Sequence, residues 1–234
     1  MSSDLAPVDA VRLYTLRLDD RDADSAGAAA ILSPEEQARA ASILDTRARA
    51  RFVRVRCALR ELLGSVLGEP PASVPIGEDK GGRPQIGGSP VSFNVSHTRG
   101  VAVIGITRAG PVGVDVQSLR PGQDPLRLAR RFFDPSEADV IAALPPGVAA
   151  EAFLRAWTAK EAVVKALGVG IWGNTDRVVV DLEPHRGVRL LAAPGPVPAG
   201  RWSLIEASVP AGTKAAVAIP REGVGLRVAP VPPG

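Results

Sequence analysis

Trp157-Thr158-Ala159-Lys160-Glu161-Ala162-Val163-Val164-Lys165 sets one carboxylate and two ammonium groups into an otherwise apolar helical run. Phe153, Trp157, Glu161 and Lys165 are spaced four apart, so on a helix they form one stripe, aromatic at its first turns and ionic at its last. Taken alone, Glu161 and Lys165 read as an ordinary i,i+4 pair that stabilises a helix by roughly 0.3–0.5 kcal/mol. A second acidic stretch changes that reading. Gly113-Val114-Asp115-Val116-Gln117 is a short, nearly apolar strand signal broken by one carboxylate, with Gln117 on the same side two residues on. An unpaired Asp115 buried there is costly, so it should meet a cation or several donors.

Around these two stretches the chain reads as alternating strands and helices. Val11 to Leu18 gives a first strand with imperfect alternation. Ser33-Pro34-Glu35-Glu36 is a capping box that opens a helix to about Leu44, and a second helix runs from about Thr46 to Leu67, stopped by Gly68. A Lys80-Gly81-Gly82-Arg83-Pro84 turn precedes a hairpin of strands near Val91 to Val95 and Val101 to Thr107. Phe93-Asn94-Val95-Ser96-His97 closes the first of these in three hydrogen-bonding side chains. Asp134-Pro135-Ser136-Glu137 repeats the capping box and starts a helix to about Leu144, Pro145-Pro146-Gly147 breaks it, and the opening stretch lies on a helix from about Val148 to Leu167. Strand-like runs follow at 177–182, 188–192, 202–209 and 214–219, and the tail from Pro230 reads as loose. Each half thus holds a strand, a long helix and a hairpin, dividing near Arg108 to Pro111.

Composition narrows the function. The 234 residues are 45% hydrophobic with a mean hydropathy of +0.09, a core-forming balance. No run approaches the roughly 18 apolar residues of a membrane span, and Met1-Ser2-Ser3-Asp4 begins no export signal, so a cytoplasmic protein with no membrane partner is expected. Cys57 is the sole cysteine and His97 and His185 the sole histidines, so a metal here would need oxygen ligands. Net charge is +3, yet Arg47, Arg49, Arg51, Arg54, Arg56 and Arg60 crowd one window that wants anions. Nine aromatics and no base-reading motif argue against nucleic acid, whereas phosphates on a small molecule fit.

Taken together, Phe93-Asn94-Val95-Ser96-His97, Gly113-Val114-Asp115-Val116-Gln117, Arg131-Phe132-Phe133 and Trp157-Thr158-Ala159-Lys160-Glu161-Ala162 with Lys165 resemble, in order and spacing, the surfactin-type 4'-phosphopantetheinyl transferases. The resemblance runs from about Leu32 to Gly170 and more faintly beyond. It implies an α+β pseudo-dimer of two similar subdomains, each a long helix packed on a small, mostly antiparallel sheet. Residues 1–110 would carry the coenzyme A phosphate-binding helix and hairpin, residues 111–234 the metal site and catalytic helix, with the active site in the cleft between them. The implied reaction is Mg²⁺-dependent, with Mn²⁺ as a substitute. It moves the phosphopantetheine arm of coenzyme A to a serine of an apo acyl or peptidyl carrier protein and releases adenosine 3',5'-bisphosphate.

By that resemblance Asp115, Gln117 and Glu161 hold the metal, and Asp115, Glu161 and Lys165 are catalytic. Arg51, Arg83, Ser96, His97, Lys160 and Lys165 attend the coenzyme. Gln117 departs from the family pattern, which commonly has Glu there and so three acidic metal-side residues. A monomer is expected. The alternative is a coenzyme A-binding homologue without transferase activity.

Overall fold

Strand β1 (Ala10–Arg17) is paired on both edges, antiparallel to β5 (Val101–Thr107) and parallel to β11 (Gly225–Pro230), and β4 (Ser92–Thr98) completes the sheet in the order β11-β1-β5-β4. The computed structural model describes residues 7–19, 27, 30–79, 83–168, 175–182 and 187–232. Met1 to Asp4, Lys80-Gly81-Gly82 of the expected turn, Gly170, His185 and the last two residues lie outside these.

Two-sided burial explains why β1 alternates imperfectly. Val11 and Leu13 pack into one cluster and Tyr14 and Leu16 into another on the opposite face. That second face is covered by helix α2 (Thr46–Leu67), which follows α1 (Pro34–Ser42) and lays Val55, Leu59, Leu62, Leu63 and Val66 on the sheet. Each such side chain contributes roughly 1.5–3 kcal/mol when fully buried.

The other face of β1 and β5 meets a second sheet, β6-β10-β9, built from β6 (Gly113–Gln117), β10 (Lys214–Ile219) and β9 (Ser203–Ala207). Val114, Val116, Val217 and Ile219 of this sheet share a cluster with Val11, Leu13 and Val103. Its far face carries helix α5 (Pro146–Leu167), with Ala156, Ala159, Ala162 and Val163 against Ala216 and Ala218. The layers therefore run α2, first sheet, second sheet, α5. The chain is mixed α+β, as the sequence indicates.

Several local expectations change. The helix opened by Asp134 ends before Pro145-Pro146 as expected, but Pro146 itself stands in the first turn of α5, two residues ahead of the expected start, where a missing N–H costs nothing. Helix α3 (Pro125–Phe132), capped by Asp124, is not among the expected helices because it lacks the capping box that marks the equally short α4 (Pro135–Ala142) after it. Short strands β2 (Ile76–Glu78) and β3 (Pro84–Ile86) flank the expected turn, and β7 (Val179–Asp181) pairs with β8 (Arg189–Ala192). The tail is not loose at its start: Pro230 stands opposite Thr15, and the Val231 amide donates to the Thr15 carbonyl at 3.0 Å. The end of the chain thus joins the sheet begun by β1.

Candidate active site

Gly113 lets the catalytic stretch come together. A Cβ built there would lie 1.9 Å from the Ala162 carbonyl oxygen and 2.5 Å from the Ala166 nitrogen, so only glycine allows α5 this close to β6. Period-two geometry then turns Asp115 and Gln117 to the same side as Gly113.

The outer edge of β6 is satisfied by side chains rather than by another strand. Asn94 Oδ1 accepts from the Val114 amide at 3.0 Å, Ser96 Oγ accepts from the Val116 amide at 3.3 Å, and Thr98 Oγ1 meets Ser118 Oγ at 3.1 Å. Alternate residues of β4 therefore stitch the two sheets together. Asn94 and Thr98 belong to the site's framework for this reason, and their period-two spacing with Ser96 was the available signal. His97 points the other way, into the cleft.

Asp115 is 1% exposed, and its Oδ1 accepts from Ser96 Oγ at 2.8 Å and from Lys165 Nζ at 2.6 Å. Lys165 Nζ also donates to the Val114 carbonyl and Ser96 Oγ, both at 3.1 Å. Ser96 gives its one proton to Asp115 and accepts twice, so its hydroxyl is used up within the protein. In this structure Ser96 thereby holds Asp115 in place.

Two carboxylate oxygens remain without a hydrogen-bond partner, Asp115 Oδ2 and Glu161 Oε1, both buried. Burial first, and then the charge of Asp115, pushes the Glu161 carboxyl up to about 7, against an opposing pull from Lys165. Such orphaned oxygens suit a hard cation. Among the described residues no group of three or more His, Cys, Asp or Glu could hold a metal. Mg²⁺, however, commonly takes one or two carboxylates from a protein and completes its shell with water and substrate phosphate. The donor set of Asp115 and Glu161, with Gln117 on the same side of β6, fits that ion.

A cleft of about 890 Å³ is lined by Arg51 and Phe52 of α2, His97 of β4 with Arg99 after it, Gln117 of β6 with Arg120 after it, and Phe153 and Trp157 of α5; it reaches β6 at Gln117 and α5 at Trp157, two residues and one turn short of Asp115 and Glu161, which do not line it. Arg51 is half-exposed and paired with Asp19 at 2.6 Å. The walls around His97 hold its pKa below the ordinary value, helped by the positive charges of Lys165 and Arg51. Phe132 and Phe133, at the end of α3, pack edge-on and tilted against Trp157, while Phe133 stacks on Phe153 at 5.3 Å.

Two expected coenzyme residues stand elsewhere. Lys160 is fully buried, its Nζ on Glu137 Oε2 at 2.5 Å, on the Thr175 carbonyl at 3.1 Å and on the Val178 carbonyl, above the Phe133 ring. It faces away from Asp115 because neighbouring residues on a helix diverge by about 100°. Arg83 donates from Nη1 to the Ala166 carbonyl at 3.0 Å and from Nη2 to the Val112 carbonyl at 2.8 Å, tying the end of α5 to the start of β6. Within the arginine window, Arg56 and Arg60 are likewise spent on Glu36.

Known proteins resemble this chain. The family model of the 4'-phosphopantetheinyl transferase superfamily matches residues 111–218. The 4'-phosphopantetheinyl transferase HetI of Nostoc sp. is 34% identical over 215 residues, 90% of this chain and 88% of the relative. A 4'-phosphopantetheinyl transferase of Bacillus subtilis is 30% identical over 131 residues, 52% of this chain and 57% of the relative. The L-aminoadipate-semialdehyde dehydrogenase-phosphopantetheinyl transferase of Xenopus laevis is 29% identical over 165 residues, covering 65% and 55%.

Proposed function

The chain belongs to the 4'-phosphopantetheinyl transferase superfamily, and on that premise we propose that it moves the phosphopantetheine arm of coenzyme A to a serine hydroxyl of an apo acyl or peptidyl carrier protein. The observation that carries this reading is the pair of unpartnered buried oxygens, Asp115 Oδ2 and Glu161 Oε1, on the two elements that supply Gln117 and Trp157 to the cleft lined by Arg51 and His97.

Phosphoryl transfer asks a protein for positioning and charge neutralisation. Mg²⁺ held by Asp115 and Glu161 would neutralise the pyrophosphate of the coenzyme and leave the attack on phosphorus less opposed. Arg51 and His97, on the cleft wall, bind the coenzyme's phosphates; Arg51 would exchange Asp19 for them. Glu161, with its pKa near neutrality, takes the proton of the serine hydroxyl as that oxygen bonds to phosphorus. The bond from phosphorus to the adenosine 3',5'-bisphosphate breaks, and Lys165 lies next to where that charge develops. Arg83, Ser96 and Lys160 act behind the site: Arg83 fixes α5 against β6, Ser96 orients Asp115, and Lys160 anchors α5 through Glu137.

The same reading makes residues 1–110 and 111–234 two similar halves. Its support is that α2 and α5 are both 22 residues long and both end on a left-handed glycine, Gly68 and Gly168. Intact mass of an apo carrier protein incubated with coenzyme A, Mg²⁺ and this protein tests the function: an increment of about 340 Da on the carrier is expected for the transferred group. Tight coenzyme binding with no increment on any of several carriers would leave the non-transferring homologue instead.

A further inference from the structure

Lys165, like Lys160, is fully satisfied by the protein itself, but at the candidate site. Its ammonium has three N–H donors, and three oxygens accept them: Asp115 Oδ1 at 2.6 Å, Ser96 Oγ at 3.1 Å and the Val114 carbonyl at 3.1 Å. Asp115 contributes a side chain only 2% exposed to this contact and Lys165 one that is 18% exposed, so the pair is shielded from water and its attraction is weakly screened. Every acceptor is on β4 or β6, while Lys165 itself comes from α5. The ammonium therefore occupies the junction of the three elements that build the site.

Charge at that junction has a consequence for how a divalent cation enters. Asp115, Glu161 and Lys165 together carry one net negative charge when all are ionised. A divalent ion arriving alone would turn this into one net positive charge, in a buried place where an ammonium already touches one of the two carboxylates. Like charges a few ångströms apart in a weakly screened site repel by several kcal/mol at an effective dielectric near 20. An ion arriving with a pyrophosphate brings its own compensating charge, and the phosphate oxygens also offer Lys165 an alternative to Asp115.

On the metal site assigned under the proposed function, we propose that Lys165 is the resident counter-cation of Asp115 in the coenzyme-free protein, so that the divalent ion is taken up jointly with coenzyme A rather than ahead of it. Lys165 then has two partners in turn. It lies on Asp115 while the cleft is empty of coenzyme, and shares itself with the pyrophosphate afterwards.

Mn²⁺ uptake read by electron paramagnetic resonance tests this without relying on turnover. Free Mn²⁺ is titrated against the wild type and Lys165→Met, each with and without saturating coenzyme A, and the uptake by coenzyme A alone is subtracted. For the wild type, coenzyme A should tighten Mn²⁺ binding by about ten-fold or more, within the usual range of coupling between two ligands. Lys165→Met should bind Mn²⁺ in the absence of coenzyme about ten-fold more tightly than the wild type, and the coenzyme effect should shrink correspondingly. Adding Asp115→Asn to Lys165→Met should abolish the gain. Equal Mn²⁺ affinity of the wild type with and without coenzyme overturns the proposal even if the variant does not fold, and so does a folded Lys165→Met that binds no more tightly than the wild type. Transfer to a carrier with no such coupling sinks the proposal alone; coupling without transfer keeps the proposal and sinks the transferase reading.

Discussion

Arg60 on α2 and Lys160 on α5 hold matching places in their surroundings. Each gives its charge to the glutamate of a capping box, Glu36 beside Ser33 and Glu137 beside Asp134. Each also donates to carbonyls beyond its own helix, those of Pro71, Ala72 and Val74 for Arg60 and those of Thr175 and Val178 for Lys160. Both are followed by a glutamate, Glu61 and Glu161, whose carboxyls are pushed up by burial. Here the helices part. Burial alone raises Glu61, whereas Glu161 also feels Asp115 and Lys165, because Gly113 brings β6 against α5 at that turn. The difference teaches that a basic-acidic pair is a packing device on both long helices, and becomes a candidate site only where the facing strand brings a second carboxylate.

The comparison can be pressed first on its shared part. Lys160→Met leaves the buried Glu137 without its cation and should lower unfolding free energy in urea by about 3–5 kcal/mol, whereas Arg60→Met leaves Glu36 paired with Arg56 and should cost less. The KM for coenzyme A of the folded Lys160→Met protein should stay at the wild-type value; a rise of ten-fold or more would return Lys160 to the coenzyme. Next comes pH. A carboxyl whose folded pKa is about 7 instead of 4.5 holds its proton more tightly when folded, so its stabilising effect is complete below about 4.5 and is lost as pH rises through about 7. In chelator, the wild type should therefore lose on the order of 3 kcal/mol across that window that Glu161→Gln does not lose, as followed by thermal melts. Glu61→Gln should reproduce only a smaller part of this change.

Gly113→Ala attacks the close approach that separates the halves. With the new methyl meeting backbone of α5, a loss of about 1–3 kcal/mol or more and a fall in kcat are expected, and unchanged values of both would mean α5 has room to move. The smallest effect is assigned to Gln117→Glu, which adds a charge on the side of β6 that carries Asp115. It should lower the Mg²⁺ concentration for half-maximal activity by a few-fold, roughly, since Mg²⁺ prefers anionic oxygen. Coincident Mg²⁺ titrations would remove Gln117 from the ion's surroundings.

Much of this architecture was legible in the chain. The capping boxes at Ser33 and Asp134 and the glycine stops at Gly68 and Gly168 mark local backbone chemistry, and the helix from Thr46 to Leu67 ends where its sequence says it should. Asp115 announces itself as a charge in an apolar strand. What stayed hidden depends on contacts between distant segments. Nothing local tells that Ser96 is saturated by Asp115, Val116 and Lys165, that Arg83 reaches the end of α5, or that the last strand returns beside β1. Lys160 and Glu161 are adjacent letters in one motif, yet they face different sides of α5, and the packing of α4 and β7 around Lys160 separates their roles.

The central claim, that Glu161 rather than the helix motif as such does the chemistry, is tested most directly by one paired rate measurement. Initial rates of phosphopantetheine addition to an apo carrier, followed by intact mass at saturating coenzyme A and Mg²⁺, are compared for Glu161→Gln and Glu61→Gln. Both changes keep helix propensity and remove one half-shielded or buried charge, each next to the basic residue that anchors its long helix. Glu161→Gln should be slower than the wild type by about 10²–10⁴-fold, the usual worth of a positioned base, with Glu61→Gln unchanged. Half of the wild-type rate in Glu161→Gln, or an equal loss in both variants, would contradict the account.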